Sequence, residues 1–405
     1  MAAASVGLSV ALISIFKLLL LLCGMATLLF AQRAPGHGET LAQTRTPIAV
    51  LATLFLFALS LLWTVAPQAD ALGAMAKYGK LILILLMMAL IRDRREAMYA
   101  LAAFVAGQSF LLVSSWMLFA HLPVPWATSD ATLTEYAVFS SYIDQGIRNS
   151  VLAATCWHLR GLAPGRYGRH VAVSLAFASL FSVFFLLNGR SGHAVGIALL
   201  SIAMMWELPK KYRSFIVLLP FLLALALFFS STKVHDRLTQ VRTEVQSYSS
   251  QVQPTTSSAV RLSLWRRAIE IIRQHPLAGA GVGSWITESN RLQRDQSPDR
   301  NTTDGYGNPH QEYLLWGVQL GIPGIFAILV LMLSVLADTI RMEKQYARAA
   351  QSALLALAVT CFFNSSIYDA IIGEFLCVAI GLLLALGLSK KASPTIASPQ
   401  LEKTK

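Results

Sequence analysis

Apolar runs about twenty residues long recur from one end of this chain to the other, and that is the length a helix needs to cross a bilayer. The clearest cover residues 6–30, 46–66, 72–91, 97–120, 131–158, 170–187, 191–207, 213–230, 310–339, 346–367 and 369–389. Of the 405 residues 55% are hydrophobic and only 13% charged, whereas soluble domains carry about a quarter. The expected fold is an all-α integral membrane protein, polytopic, with about 11–12 transmembrane helices and one large periplasmic loop containing an amphipathic helix. The first run, interrupted by Lys17, reads as one long span or a tight hairpin, retained rather than cleaved as a signal peptide.

Short basic loops set the sidedness. Arg92 to Arg95, Arg160 to Arg169, Lys210 to Arg213, Arg341 to Arg348 and Lys390-Lys391 alternate with loops nearly free of Lys and Arg, such as 121–130. The net charge of +12 therefore reports topology rather than a nucleic-acid partner. Basic loops face the cytoplasm, which leaves the loop 231–309 outside; a bacterial inner membrane with an active site on the periplasmic side fits the pattern. The expected organisation is an N-terminal transmembrane bundle over 1–230, the periplasmic loop over 231–309, C-terminal transmembrane helices over 310–389 and a disordered cytoplasmic tail over 390–405. Cys23, Cys156, Cys361 and Cys377 all fall in apolar runs and read as small buried hydrophobes, neither a disulfide framework nor a metal site.

Almost all the polar sequence lies in 231–309, so that loop is where chemistry is expected. Residues 231–258 read as a flexible linker, after which Ser257 or Ser258 caps a helix over 259–274 that His275-Pro276 stops. At helical spacing Val260, Leu262, Leu264, Trp265, Ala268, Ile269, Ile271 and Ile272 share one arc, and Arg266, Arg267, Glu270 and Arg273 the opposite one. Arg261 falls within the apolar arc. It either snorkels from the first turn of a surface-lying helix or holds an anion such as a phosphate. The following Gly279-Ala280-Gly281-Val282-Gly283 lacks the preceding strand and the Walker lysine of a nucleotide loop, and reads better as a tight, backbone-exposed turn beside the membrane.

Re-entry comes at Asn308-Pro309-His310-Gln311, which reads as a helix start with Asn308 as N-cap and His310 in the first turn. A histidine there either packs at the interface or, kept neutral by the helix dipole, serves as a general base. Gly321-Ile322-Pro323-Gly324 is expected to break or kink the helix that follows. Arg190, in the short outer turn Asn188-Gly189-Arg190-Ser191-Gly192-His193, runs against the positive-inside trend and touches either lipid headgroups or a ligand. Asp369 and Glu374 are acids in or beside apolar runs; Asp369, at the outer boundary, is the stronger candidate, with Arg266 a further secondary one.

These pieces resemble the O-antigen ligase family, within the group that includes O-antigen polymerases and protein O-oligosaccharyltransferases. The resemblance rests on Asn188-Gly189-Arg190-Ser191-Gly192, Arg261-Leu262-Ser263-Leu264-Trp265, His275-Pro276 through Gly283, and Pro309-His310-Gln311-Glu312-Tyr313-Leu314 followed by Gly321-Ile322-Pro323-Gly324, all in the C-terminal half. It implies transfer of a glycan from undecaprenyl pyrophosphate to a hydroxyl, with lipid A–core as acceptor and with neither cofactor nor metal. His310 would be the base, and Arg190 and Arg261 would grip the pyrophosphate. A polymerase or protein O-oligosaccharyltransferase is the alternative within this chemistry. A polysaccharide or lipid transporter is the alternative outside it, although its charges would line a path at the midplane rather than cluster on one face.

Overall fold

The computed structural model describes residues 2–5, 15, 18–24, 26, 43–129, 132–209, 211–212, 218–232, 236, 257–296 and 305–389. Most of the first run and of the expected linker, Lys210, Arg213 and the tail from Lys390 lie outside the described residues. Among the described residues the fold is helical, with no strand. The main elements are α1 (Thr46–Leu59), α2 (Gln68–Leu90), α3 (Arg94–Phe119), α4 (Tyr142–His158), α5 (Gly168–Leu186), α6 (Arg190–Glu207) and α7 (Leu219–Ser230). After the loop come α8 (Ser257–Gln274), α9 (Trp285–Gln296), α10 (Glu312–Leu320), α11 (Ile322–Thr339), α12 (Lys344–Phe363) and α13 (Ala370–Leu388).

Six of these helices, α2, α3, α5, α11, α12 and α13, are long and apolar enough to cross a membrane, as a multi-pass membrane protein requires. Helix α13 is apolar on every face apart from the buried Glu374 because it is the centre of the bundle, packed against α2 and α12 and, less extensively, α3 and α4. Gly381 permits the closest approach: a Cβ there would lie 2.9 Å from the Ile84 Cα of α2. Against α13 and α12 stand α4 and α6, less apolar because Gln145, Arg148 and Asn149 on one and Ser191 and His193 on the other are buried inside the bundle. The N-terminus of α1 is closed from across the fold by Asp338 of α11, which accepts from the Thr46 N–H at 2.9 Å and the Thr46 hydroxyl at 2.7 Å.

Several boundaries differ from the sequence reading. In the run 131–158 the long helix starts only at Tyr142, where the Ser141 hydroxyl accepts from the Asp144 N–H. The residues before it are held outside the helix by side chains: Gln145 accepts from the Val138 N–H and donates, as Ser115 does, to the Tyr136 carbonyl. The run 310–339 is two helices, broken as expected at Gly321, whose φ of 72° lies in the left-handed region. Cys156, Cys361 and Cys377 are buried as expected, but Cys23 is exposed, on a described fragment whose Leu18, Leu19 and Leu22 are exposed too.

The basic loops do gather at one end. Arg94 pairs with Glu343 at 3.8 Å, and Arg160 and Arg348 both reach Glu207, at 3.3 and 4.0 Å. The loop helices α8 and α9 and the short α10 lie at the other end.

Candidate active site

The six residues joining α12 to α13, Asn364 to Asp369, tie together most of the elements at that end. Glu312, the first residue of α10, is fully buried, and its carboxylate accepts from the Ile367 N–H at 2.8 Å, the Tyr368 N–H at 3.1 Å and the Trp316 indole at 2.7 Å. Three donors are what such a buried carboxylate needs. From α2, the Lys80 ammonium donates to the Tyr368 and Asp369 carbonyls at 3.3 and 2.5 Å, and Lys77 sits 4.0 Å over the Tyr368 ring. On the far side, the Asn364 amide donates to the Ser191 hydroxyl at 3.3 Å, one residue from Arg190.

Arg190 opens α6 directly after a π turn at Ser182–Leu186, a backbone irregularity frequent at functional positions. Its helix meets α4 glycine on glycine: a Cβ on Gly192 would lie 3.0 Å from the Gly146 Cα. That approach brings Arg190 beside the start of α4, where the buried Arg148 is held by the Asp144 carbonyl and the Ser140 hydroxyl. Asp369 feels this neighbourhood. Burial and then the nearby Asp144 push its carboxyl up to about 6, against the pull of Lys80 and Lys77.

The loop covers this end with two helices rather than one. Trp265 of α8 rests edge-on against Phe362, two residues before Asn364, with ring centroids 6.0 Å apart. Arg267, expected on the solvent arc, is buried instead, because α9 covers it and supplies the Ser289 hydroxyl at 3.0 Å and the Gln293 amide oxygen at 3.3 Å. Ile269, expected on the buried arc, is exposed at 42%. Arg261 stays half-buried, while Arg266 is exposed.

His310 is not in a helix. Helix α10 starts at Glu312 with Gln311 as its N-cap, so the helix dipole does not act on His310 as a first-turn residue. The histidine sits instead in a left-handed conformation, φ 52°, with its N–H donated to the Asn308 side chain at 2.8 Å. Its ring stands edge-on to Tyr306, whose carbonyl the Trp285 indole of α9 holds at 2.8 Å. Burial lowers the imidazole below its ordinary value, and the positive charge of Arg261 lowers it further.

The glycine turn is buried, not exposed, and serves as a buckle. The N–H groups of Ala280 and Gly281 donate to the Val318 and Gln319 carbonyls, that of Val282 to the Ser60 hydroxyl and that of Gly283 to the Gln319 side chain. With those donors committed to protein acceptors, none is left to cradle a phosphate, so the nucleotide-loop reading fails. What the turn does is fasten the loop to α10 and to the turn between α1 and α2, where Val65 donates back to the Ala280 carbonyl at 3.1 Å.

Of the expected residues, then, Arg261 is near enough to His310 to act on it electrostatically, Asp369 lies on the connector, and Ser191, next to Arg190, meets the connector at Asn364. Lys77, Lys80, Asp144, Arg148 and Glu312 were missed, although each is a charge inside or beside an apolar run, the signal that singled out Asp369.

Residues 175–329 match the family model described as O-antigen ligase. That stretch contains Arg190, Arg261 and His310 and ends before the connector. Among curated proteins none matches the chain.

Proposed function

The chain belongs to the O-antigen ligase family through residues 175–329, and from that premise we propose that it is an O-antigen ligase of the bacterial inner membrane, working at the periplasmic face. Membership makes it a multi-pass membrane enzyme of glycosyl transfer, with a lipid-linked glycan and a lipid acceptor as substrates. The finer reading is that the donor is an undecaprenyl-pyrophosphate-linked glycan and the acceptor a hydroxyl of lipid A–core. What supports it is a half-buried His310, kept below its ordinary value by burial and by the charge of Arg261, beside the loop helices.

Each residue then has a defined task. His310, neutral at physiological pH because burial and Arg261 disfavour its protonated form, accepts the proton of the acceptor hydroxyl. The oxygen attacks the anomeric carbon from the face opposite the pyrophosphate. The new glycosidic C–O bond forms as the bond to the phosphate oxygen breaks, and undecaprenyl pyrophosphate leaves with its electron pair. Arg261 and Arg190 neutralise the charge that grows on that leaving group. A single displacement inverts the anomeric centre.

The test mixes purified protein with lipid-linked glycan and lipid A–core, with wild type and His310→Ala in parallel. Glycan on lipid A–core, with inverted configuration and absent in the variant, is the expected outcome. Longer glycan on the carrier makes the enzyme a polymerase, retained configuration removes the single displacement, and no transfer to any acceptor favours a transporter.

A further inference from the structure

At the basic end of the bundle, α4, α5 and α6 enclose a cavity of about 360 Å³ that nothing in the proposed reaction uses. Its wall is almost wholly apolar, built from Ala153, Trp157, Phe177, Leu180, Leu200 and Ala203. Phe177 and Met204 line it and are themselves exposed on the side of the bundle, so a hydrocarbon chain can enter laterally. The cavity ends at Glu207, and Glu207 also lines a second pocket of about 360 Å³ whose other charged groups are all basic: Arg160, Arg169, Lys344 and Arg348.

The two pockets differ sharply in chemistry. Arg160 is anchored by the Trp157 carbonyl at 2.6 Å and lies 4.2 Å over the indole of the same tryptophan that walls the cavity. Arg348 is anchored by the Trp206 carbonyl at 3.2 Å. Both share the single carboxylate of Glu207, and among the described residues Arg169 and Lys344 form no ion pair. His158 lines this pocket, is only 5% exposed, and its Nε2 has no hydrogen-bond partner among the described residues. A buried ring nitrogen without a partner leaves room for one further polar contact, and in the N–H tautomer a phosphate oxygen supplies it.

We propose that the paired pockets bind one anionic phospholipid, its phosphate among Arg160, Arg169, Lys344 and Arg348 and one acyl chain in the cavity between α4, α5 and α6. Basic pockets between transmembrane helices recognise anionic headgroups through this combination of charge and adjoining hydrocarbon. The site is separate from the glycan chemistry: α4 and α6 carry it at their C-terminal ends, about 25 Å along the helix from Tyr142 and Arg190. The lipid would clamp the ends of the three helices whose other ends position Arg190.

The experiment uses the full chain in detergent, exchanged against equimolar phosphatidylglycerol and phosphatidylcholine, with retained lipid read by native mass spectrometry. Phosphatidylglycerol retained over phosphatidylcholine by about tenfold is expected of wild type, and the double variant Arg169→Gln/Lys344→Gln loses that preference. Removing these two cations breaks no ion pair among the described residues. Ala203→Phe, which fills the cavity and leaves the charges in place, lowers retention of phosphatidylglycerol. Equal retention of the two lipids by wild type, or unchanged preference in both variants, overturns the site. Displacement of phosphatidylglycerol by glycerol phosphate alone overturns the acyl-chain half of it.

Discussion

Two turns bracket the polar loop's return to the bundle, and both run through left-handed backbone. In the first, Gly279, Gly281 and Gly283 take φ values of 65°, 89° and 78°; in the second, His310 takes 52°. Glycine enters that region freely, while a residue with a side chain is penalised there by about 1–2 kcal/mol. The first turn needs only geometry: its N–H groups are bonded and its space is closed, with Thr64 backbone atoms where a side chain would go. The second accepts the strain, offset by the Asn308 hydrogen bond, and keeps an imidazole. A strained position that retains a side chain is where function is expected, and here the charge of Arg261 acts on that side chain.

That contrast breaks if His310 proves dispensable, and the largest effect is predicted there. His310→Ala should lower glycan transfer by about 10²–10⁴-fold, the span of a lost general base. His310→Gly should lose as much activity yet melt no lower than wild type, since glycine relieves the backbone strain. Active His310→Gly protein would reduce the histidine to packing. The mirror experiment is Gly281→Ala. A Cβ there would lie 2.2 Å from the Thr64 Cα at φ 89°, so the turn must open, and a loss of about 4 kcal/mol or more in folded stability is expected. The yield of folded protein and its melting temperature report it. A variant that folds and melts like wild type would show that the buckle is not needed.

Next in size is Arg261→Gln, which sharpens the comparison by separating two causes of one shift. A drop in turnover of about 10²-fold is expected from loss of a charge at the leaving group. The pH profile adds the distinguishing mark. Because the folded His310 sits below its ordinary value of 6.5, the neutral base persists, and wild-type activity should fall only below that pH. Burial is the larger cause and survives the substitution, so the acid limb should move upward without reaching the unperturbed position. An unmoved limb would mean that some other group titrates.

The architecture of the membrane part was legible because apolar length and the break at Gly321 are local properties of the sequence. Helix α9 was not, since Trp285, Ile286 and Leu292 are its whole apolar content, Ile286 being exposed, and its support comes from pairs such as Arg291 with Glu288 at 2.7 Å. Missing α9 also misplaced Arg267, whose burial depends on a partner 22 residues away. His310 was expected in the first turn of a helix and is not: the helix begins two positions later, and burial and Arg261 depress the ring instead of a dipole. The connector could not be ranked from sequence because Glu312 and Lys80 reach it from 55 and 288 residues away. Charges in apolar runs were the available signal, and applying that rule to Arg148 and Lys80 as to Asp369 would have outlined the site.

Asp369 offers the smallest test, a second instance of a penalty held at the chemical end. Its carboxyl, near 3.8 when unfolded and about 6 in the fold, is charged at neutral pH against the preference of its surroundings. The folded state therefore binds that proton more tightly than the unfolded one. The stabilisation from protonation is complete below the unfolded value and disappears as pH rises through about 6. Asp369→Asn removes the charge but not the Lys80 bond, which goes to the main-chain carbonyl. The variant should melt a few degrees above wild type at about pH 7.5, and the gap should shrink steadily towards about pH 4. Transfer activity should fall by less than about tenfold, since the proposed base and the two proposed pyrophosphate-binding arginines remain. A variant less stable than wild type at neutral pH would mean that the attraction of Lys77 and Lys80 outweighs burial, and the connector would then be an ion-paired clamp rather than a strained one.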